Sequence, residues 1–280
     1  MTQPHIVIDA RNLLYRAHYS NKNNGNSTTH DVTAAFRFIH QWVGEFKPKS
    51  VSVFWDSSGD LWRCKLIDGY KDRDRGAHDG ARAALKVMEP ICRELFNVIG
   101  VFQFLKDTQE ADDLIYAACR VLAPEPVIII SSDNDYGQVA FRMPHVKLYD
   151  PMKKIYKSYD FDPAIMKALM GDESDKIDGY YNVGKVKSEK MARSITERCT
   201  FLAREGYAKF LRNMLLIDLS LCPKLLANIV YVQEQYARQV PYDSDAAMDV
   251  ARRYGLKCLL AEYSRTVSPF KTISENSQVL

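Results

Sequence analysis

Residues 127–130, VIII, form an unbroken apolar run rich in isoleucine, with no polar alternation. Such a run, bounded by turn residues, predicts a central strand buried on both faces of a parallel sheet. Apolar stretches at 5–8, 51–55 and 98–105 read as further strands, and 146–149 with 154–156 flank the turn DPMK as an edge hairpin. Between them the spacing becomes helical. Leu13, Leu14 and Ala17 share one face, Phe36, Ile39 and Val43 line 32–45 with Thr29 or Asp31 as the cap, and Ala84, Leu85, Met88, Ile91 and Leu95 line 81–99. Another helix is expected from Gln109 onward, with Thr108 as its N-cap and an acidic first turn. Strands alternating with helices predict an α/β fold with a mostly parallel sheet over residues 1–160.

From residue 161 to 263 the pattern is helical: 163–170, a basic helix after a glycine-marked turn, then 206–221, 224–238, 245–253 and 256–263. The polar stretch 264–280 is expected to be a flexible tail. Residues 57–80 follow neither period. There Arg63, Lys65, Lys71, Arg73 and Arg75 alternate with Trp62 and Tyr70 among glycines and aspartates, which predicts a mobile basic loop or arch. Cations that grip phosphate beside rings that stack on bases suit single-stranded nucleic acid, with a plain solvated loop as the competing reading.

Composition narrows the class without naming it. With 280 residues, 46% hydrophobic and 26% charged, the chain can bury a full core, and its net charge of +3 excludes whole-molecule attraction to a polyanion, so any such binding must be local. The six cysteines are scattered without a CxxC pair and read as buried thiols of a reducing compartment. No apolar run approaches the about 18 residues of a membrane span, and the start lacks a signal-peptide pattern, so a cytoplasmic protein is expected; a monomer is expected as well.

The chemistry lies in carboxylates. Asp9, Asp56 and the pair Asp133 and Asp135 follow predicted strands, Glu110, Asp112 and Asp113 open a helix, and Asp172 and Asp175 are spaced to face one way on a helical turn. Taken singly, each is an ordinary cap or turn residue. Jointly they fall at strand carboxyl ends, where open α/β sheets bind ligands. Like charges about 4 Å apart repel by roughly 4 kcal/mol at an effective dielectric near 20, so the cluster needs cations. Oxygen-only ligands favour Mg2+ and then Mn2+, and two such ions suit phosphodiester hydrolysis. Beyond the acids, Gly171, Gly179 and Gly184 frame turns before Lys185, Lys187 and Lys190, a helix entry able to meet a duplex backbone. A plain helical hairpin with solvated lysines is the alternative.

IDARNLLYRAHY, FWDSSGDLWRCKLIDGYKDR, QEADDLIYAA, ISSDNDYGQV and GDESDKIDG, in that order across residues 5–195, resemble the successive motifs of the 5′ nuclease (flap endonuclease) family. Within it, SSDNDYGQV with PHVKLYDPMKKIYK, and NMLLIDLSLCPKLLANIV, resemble the branch of phage T4-type ribonuclease H, 5′ to 3′ exonucleases that also cut flaps. The resemblance implies a PIN-like core (1–160), a helical arch (57–80) and a helical DNA-binding region (161–263) with a helix-turn-helix at 171–195. It assigns Asp9, Asp56, Glu110, Asp112 and Asp113 to one metal ion and Asp133, Asp135, Asp172 and Asp175 to a second, with Asp133 near both. It gives Lys71, beside Tyr70, contact with the scissile phosphate, and Arg63 a share in stabilising its charge. Lys65, Arg73, Arg75, Lys185, Lys187 and Lys190 become DNA contacts. Expected partners are DNA with 5′ ends, flaps or junctions, RNA–DNA hybrids, a single-strand binding protein and a sliding clamp, in replication or repair. Where the family turn reads GVxGIGxK, this chain reads GYYNVGKVK, and Asn182 and Val186 bear on the potassium ion that such turns can bind. Asparagine tolerates the left-handed conformation such a turn needs. The rival readings are a non-catalytic junction-binding protein of the same fold and a PIN-type ribonuclease.

Overall fold

The structure is a computed structural model, and it describes every residue except 1, 21–26, 72–78, 239, 241, 262–269, 272 and 274–280. Its main sheet contains β1 (His5–Asp9), β2 (Ser50–Phe54), β3 (Phe102–Phe104), β4 (Val127–Ile130), β5 (Val146–Asp150) and β6 (Ile155–Lys157), in the spatial order β3-β2-β1-β4-β5-β6. All pairs are parallel except β5 with β6, the predicted edge hairpin. Ile8 lies opposite both Val53 and Ile130, so the carboxyl ends of β2, β1 and β4 stand side by side.

The apolar strands lack polar alternation because helices cover both faces. Ile6, Ile8, Ile128 and Ile130 pack toward α1 (Ala10–Ser20), α2 (Thr28–Phe46) and α3 (Asp79–Val98), whereas Val7, Val127 and Ile129 pack toward α4 (Ala111–Val121) and α5 (Gly137–Arg142). Each such side chain contributes about 1.5–3 kcal/mol when fully buried. The second half begins with α6 (Pro163–Met170), a two-stranded ladder of β7 (Gly171–Asp172) and β8 (Ile177–Asp178), α7 (Lys185–Arg193) and α8 (Ile195–Glu205). It continues through α9 (Ala208–Ile217), α10 (Leu225–Tyr236), α11 (Ser244–Arg253) and α12 (Lys257–Ala261). α10 returns to the first half, where Val232 and Tyr236 join the apolar cluster around α4.

Several expectations change. α2 begins at Thr28, and Asp31 is no cap: it is buried against His18, 2.8 Å away. α3 runs to Val98, which shortens the following strand to Phe102–Phe104. The helix expected over 206–221 stops at Ile217, because Asp218 turns the chain by accepting from the Ser220 amide at 2.9 Å. α8 escaped prediction although Ser194 and Glu197 have the spacing of a capping box, and the Ser194 hydroxyl does accept from the Glu197 amide. Within the expected tail, Phe270 and Ile273 are buried in the core beside Phe36. Cys64 and Cys199 are exposed, while Cys92, Cys119 and Cys222 are buried as expected.

Candidate active site

Asp9 closes β1, and its Oδ1 accepts from the Asn12 amide at 3.0 Å as the chain turns directly into α1. Asp56 follows β2 by two residues. Its Oδ1 accepts from the Ala111 amide at 3.0 Å and its Oδ2 meets Arg11 Nε at 3.0 Å. Asp56 thus caps α4 from a distant segment, the role expected of Thr108, which instead adopts a left-handed φ of 64° and gives its amide to Ser57 Oγ. Neighbouring side chains on a helix diverge by about 100°. Asp112 accordingly meets the hydroxyl of Tyr136, whose oxygen also lies 3.2 Å from Asp9 Oδ2, while Asp113 faces Arg63 and Trp62.

After β4, Asp133 stands exposed and accepts from the Asp135 amide at 2.9 Å, which fixes the turn. Asp172 caps a 3₁₀ turn, Glu173–Asp175, by accepting from the Ser174 amide at 2.9 Å, so Asp172 and Asp175 do face one way. The β7–β8 ladder holds this turn in place, and Gly179 permits it: a Cβ there would lie 1.8 Å from the Met170 carbonyl oxygen. Asp135, Asp172 and Asp175 each offer a carboxylate oxygen within 4.8 Å of the others. Lys167 Nζ joins them, bonded to Asp135 and 2.5 Å from Asp172.

The charges interact as one group. Burial, then the fields of Asp56 and Asp133, pushes Asp9 up to about 6. Burial and Asp133 push Asp135 up to about 6 although Lys167 opposes them. Asp112 is also raised, by burial against the pull of Lys71, and by Asp133 and Asp9. Glu110 moves the other way: burial alone would raise it, but Lys71 and Arg63 together outweigh burial. The donors are hard oxygens without histidine or cysteine, the chemistry that Mg2+ or Mn2+ requires.

These shifts fix a pH dependence. Asp9 and Asp135 rise from 3.8 to about 6, so between about pH 4 and 6 the metal-free fold holds protons that the unfolded chain has released, and raising the pH destabilises it. The same protons must leave before a cation binds. The gain in Tm on adding Mg2+ is therefore expected to be small at pH 5 and larger at pH 7, with about 2.7 kcal/mol available at an ion concentration a hundredfold above Kd. His5, which burial shifts downward, acts with the opposite sign but sits at the other end of β1 and cancels in the difference with and without metal. Calorimetry at both pH values checks this, and an equal gain at each would refute it.

Of the expected site residues, the structure brings Asp9, Asp56, Asp112, Asp133, Asp135, Asp172 and Asp175 to one edge of the sheet. Glu110 borders them, held by Arg63 and Lys71. Asp113 is fully buried and turned away. Arg63 is a correction: only 3% exposed, it bonds both oxygens of Asp113 and gives Nε to the Leu216 carbonyl at 2.8 Å, which leaves it no path to a substrate phosphate. Trp62 and Tyr70 are likewise buried, so neither offers a free face to a base. Lys71 has a left-handed φ of 53°, packs over the Tyr70 ring and reaches Glu110. Lys65, Lys185, Lys187 and Lys190 are exposed, Asn182 has the left-handed φ of 53° expected of it, and Arg73 and Arg75 lie outside the described residues. Sequence reasoning missed Tyr136 and Lys167. The latter had a signal, a lone cation in the apolar helix PAIMKALM five residues before Asp172.

Acids gathered at the carboxyl ends of three adjacent parallel strands, with a basic turn-helix beyond them, define a PIN-like α/β nuclease. Residues 4–171 match the family of the 5′-3′ exonuclease, N-terminal resolvase-like domain, and the chain belongs to it. It is 27% identical over 196 residues to the flap endonuclease Xni of Shewanella loihica, covering 64% of this chain and 72% of that one. To Xni of Vibrio cholerae it is 27% identical over 217 residues, covering 72% and 79%. DNA polymerase I of Treponema pallidum is 26% identical over 196 residues, which span 64% of this chain but 19% of the polymerase. The fold agrees with that of the bacteriophage T5 flap endonuclease in a pseudo-enzyme-product complex with DNA and metal ions, at a TM-score of 0.61 and 17% identity over 97% of this chain and 99% of that one.

Proposed function

We propose that this nuclease uses two divalent ions, Mg2+ or in its place Mn2+, to cut DNA at 5′ ends and flaps and to remove RNA primers paired to DNA. The observation that carries this reading is the gathering of Asp9, Asp56, Asp112 and Asp133 against one another, continuous through Asp133 with the group Asp135, Asp172 and Asp175. The first four, bordered by Glu110, would hold one ion, and Asp133 with the other three the second. Bound there, such ions supply charge neutralisation on a phosphodiester and a more acidic water. Lys71, packed over Tyr70 and paired with Glu110, would contact the scissile phosphate once DNA enters. Lys185, Lys187 and Lys190 of α7, exposed beyond the left-handed Asn182, would meet a duplex backbone. The resemblance of the chain extends the reading to a single-strand binding protein and a sliding clamp as partners in the cytoplasm. No described helix is long and apolar enough to cross a membrane.

A labelled 5′-flap substrate tests the reading. Cleavage is expected with Mg2+ and not in chelator, and tight binding without cleavage in Mg2+ would refute it in favour of a junction-binding protein. Changing Lys185, Lys187 and Lys190 together to alanine is expected to weaken duplex binding and to flatten the slope of log K against log salt by roughly 0.9 per lost phosphate contact. Turnover at saturating DNA should hold. An unchanged salt slope, measured by fluorescence anisotropy, would remove α7 from the interface.

A further inference from the structure

Tyr136 is fully buried, yet its hydroxyl lies between two carboxylates of the acidic group. It donates to Asp112 Oδ1 and stands 3.2 Å from Asp9 Oδ2. Those acids come from different elements, the end of β1 and the first turn of α4. The ring is fixed from behind, since it packs in the cluster that contains Phe54, Ile129 and Val139. Its backbone is fixed as well. The Gly137 amide donates to the Asn134 carbonyl at 2.9 Å, and Lys157 ties down the Ser132 carbonyl at 2.8 Å and Asn134 Oδ1 at 3.0 Å. Tyr159 lies so close over Gly137 that a Cβ there would meet its ring at 2.5 Å. Burial and the two carboxylates keep the phenol protonated, its pKa raised far from the ordinary value. A donor held this rigidly sets the angle between the acids on either side.

We infer that Tyr136 is a positioning residue for the first divalent ion, its hydroxyl bracing Asp9 and Asp112 against each other so that the two carboxylates converge before the ion arrives. The inference rests on the proposed assignment of those acids to that ion. Groups that orient ligands without touching the metal are worth 10–100-fold in affinity. The loop that carries Asp133 and Asp135 thereby also reaches the first site, through its next residue.

Tyr136→Phe removes the hydroxyl and keeps the ring. Mn2+ binding to the DNA-free chain, counted as free ion by electron paramagnetic resonance, is expected to show the first ion weakened about 10-fold or more. The site that contains Asp172, identified by its loss in Asp172→Asn, should be unmoved. Flap cleavage should return to the wild-type rate when Mn2+ is raised to saturation, so the half-saturating metal concentration changes and kcat does not. A wild-type Mn2+ isotherm in Tyr136→Phe, or a loss of turnover that saturating Mn2+ does not restore, would overturn the inference. If Tyr136→Phe does not fold, Tyr136→Met carries the same expectation. A wild-type chain that binds no Mn2+ would fail earlier and differently, by removing the ion assignment itself.

Discussion

Asp133→Asn is expected to slow single-turnover cleavage of a 5′-flap substrate by on the order of a thousandfold or more while leaving DNA affinity at least as high as in the wild type. The side chain is exposed, so folding does not depend on burying it. Its one described structural duty, accepting from the Asp135 amide at 2.9 Å, is available to an asparagine Oδ1 of the same shape. What disappears is the negative charge that both halves of the acidic group share. Metal-ion catalysis supplies several kcal/mol of charge stabilisation, and each 1.36 kcal/mol is about tenfold in rate. Affinity measured in chelator should hold or rise, because a repulsive charge near the phosphates has gone. A rate within tenfold of wild type would refute the proposal that Asp133 serves both ions.

Arg63→Met should act on stability before it acts on chemistry. The guanidinium is buried with Asp113, which is fully buried, and with Glu110, and it also stacks 4.3 Å from the Trp62 ring. Removing one partner of such a group leaves a carboxylate charged, desolvated and short of donors, which costs about 3–5 kcal/mol. Trp62 Nε1 would remain a donor to Asp113 at 3.0 Å. Replacing both sides with apolar residues of similar volume is close to neutral, so adding Asp113→Leu to Arg63→Met should recover part of the loss, with Glu110 left to Lys71 alone. Urea midpoints at constant m decide the matter. A loss below about 1 kcal/mol in the single variant would show that Arg63 is not the buried counter-charge described.

The strands and their terminal acids were legible because a buried parallel strand writes a local pattern, an apolar run that stops at its carboxyl end. Asp9, Asp56 and Asp133 could be placed from that alone. Long-range partners leave no such trace. Arg63 finds Glu110 and Asp113 from 47 and 50 positions away, so its alternation with aromatic residues read as a nucleic-acid surface when it is an interior ion pair. Asp56 reaches 55 positions to cap α4, and a local threonine was the natural but mistaken choice. Tyr136 sits in a loop whose polar neighbours promised exposure, and only the packing of α5 against the sheet turns it inward.

The stretch that carries the family match is not a detachable unit. Tyr236 gives or takes a hydrogen bond with Ser52 of β2 at 2.9 Å, Arg63 leans on the Leu216 carbonyl, Gln138 grips the Ile217 carbonyl and the Leu219 amide, and Arg142 clasps Asp218. Expressed without the helices after residue 171, the fragment would expose the outer side of α4 and sever every one of those ties. Its acids would then sit on a scaffold prone to clump, and a search for the smallest working nuclease in this chain should trim elsewhere.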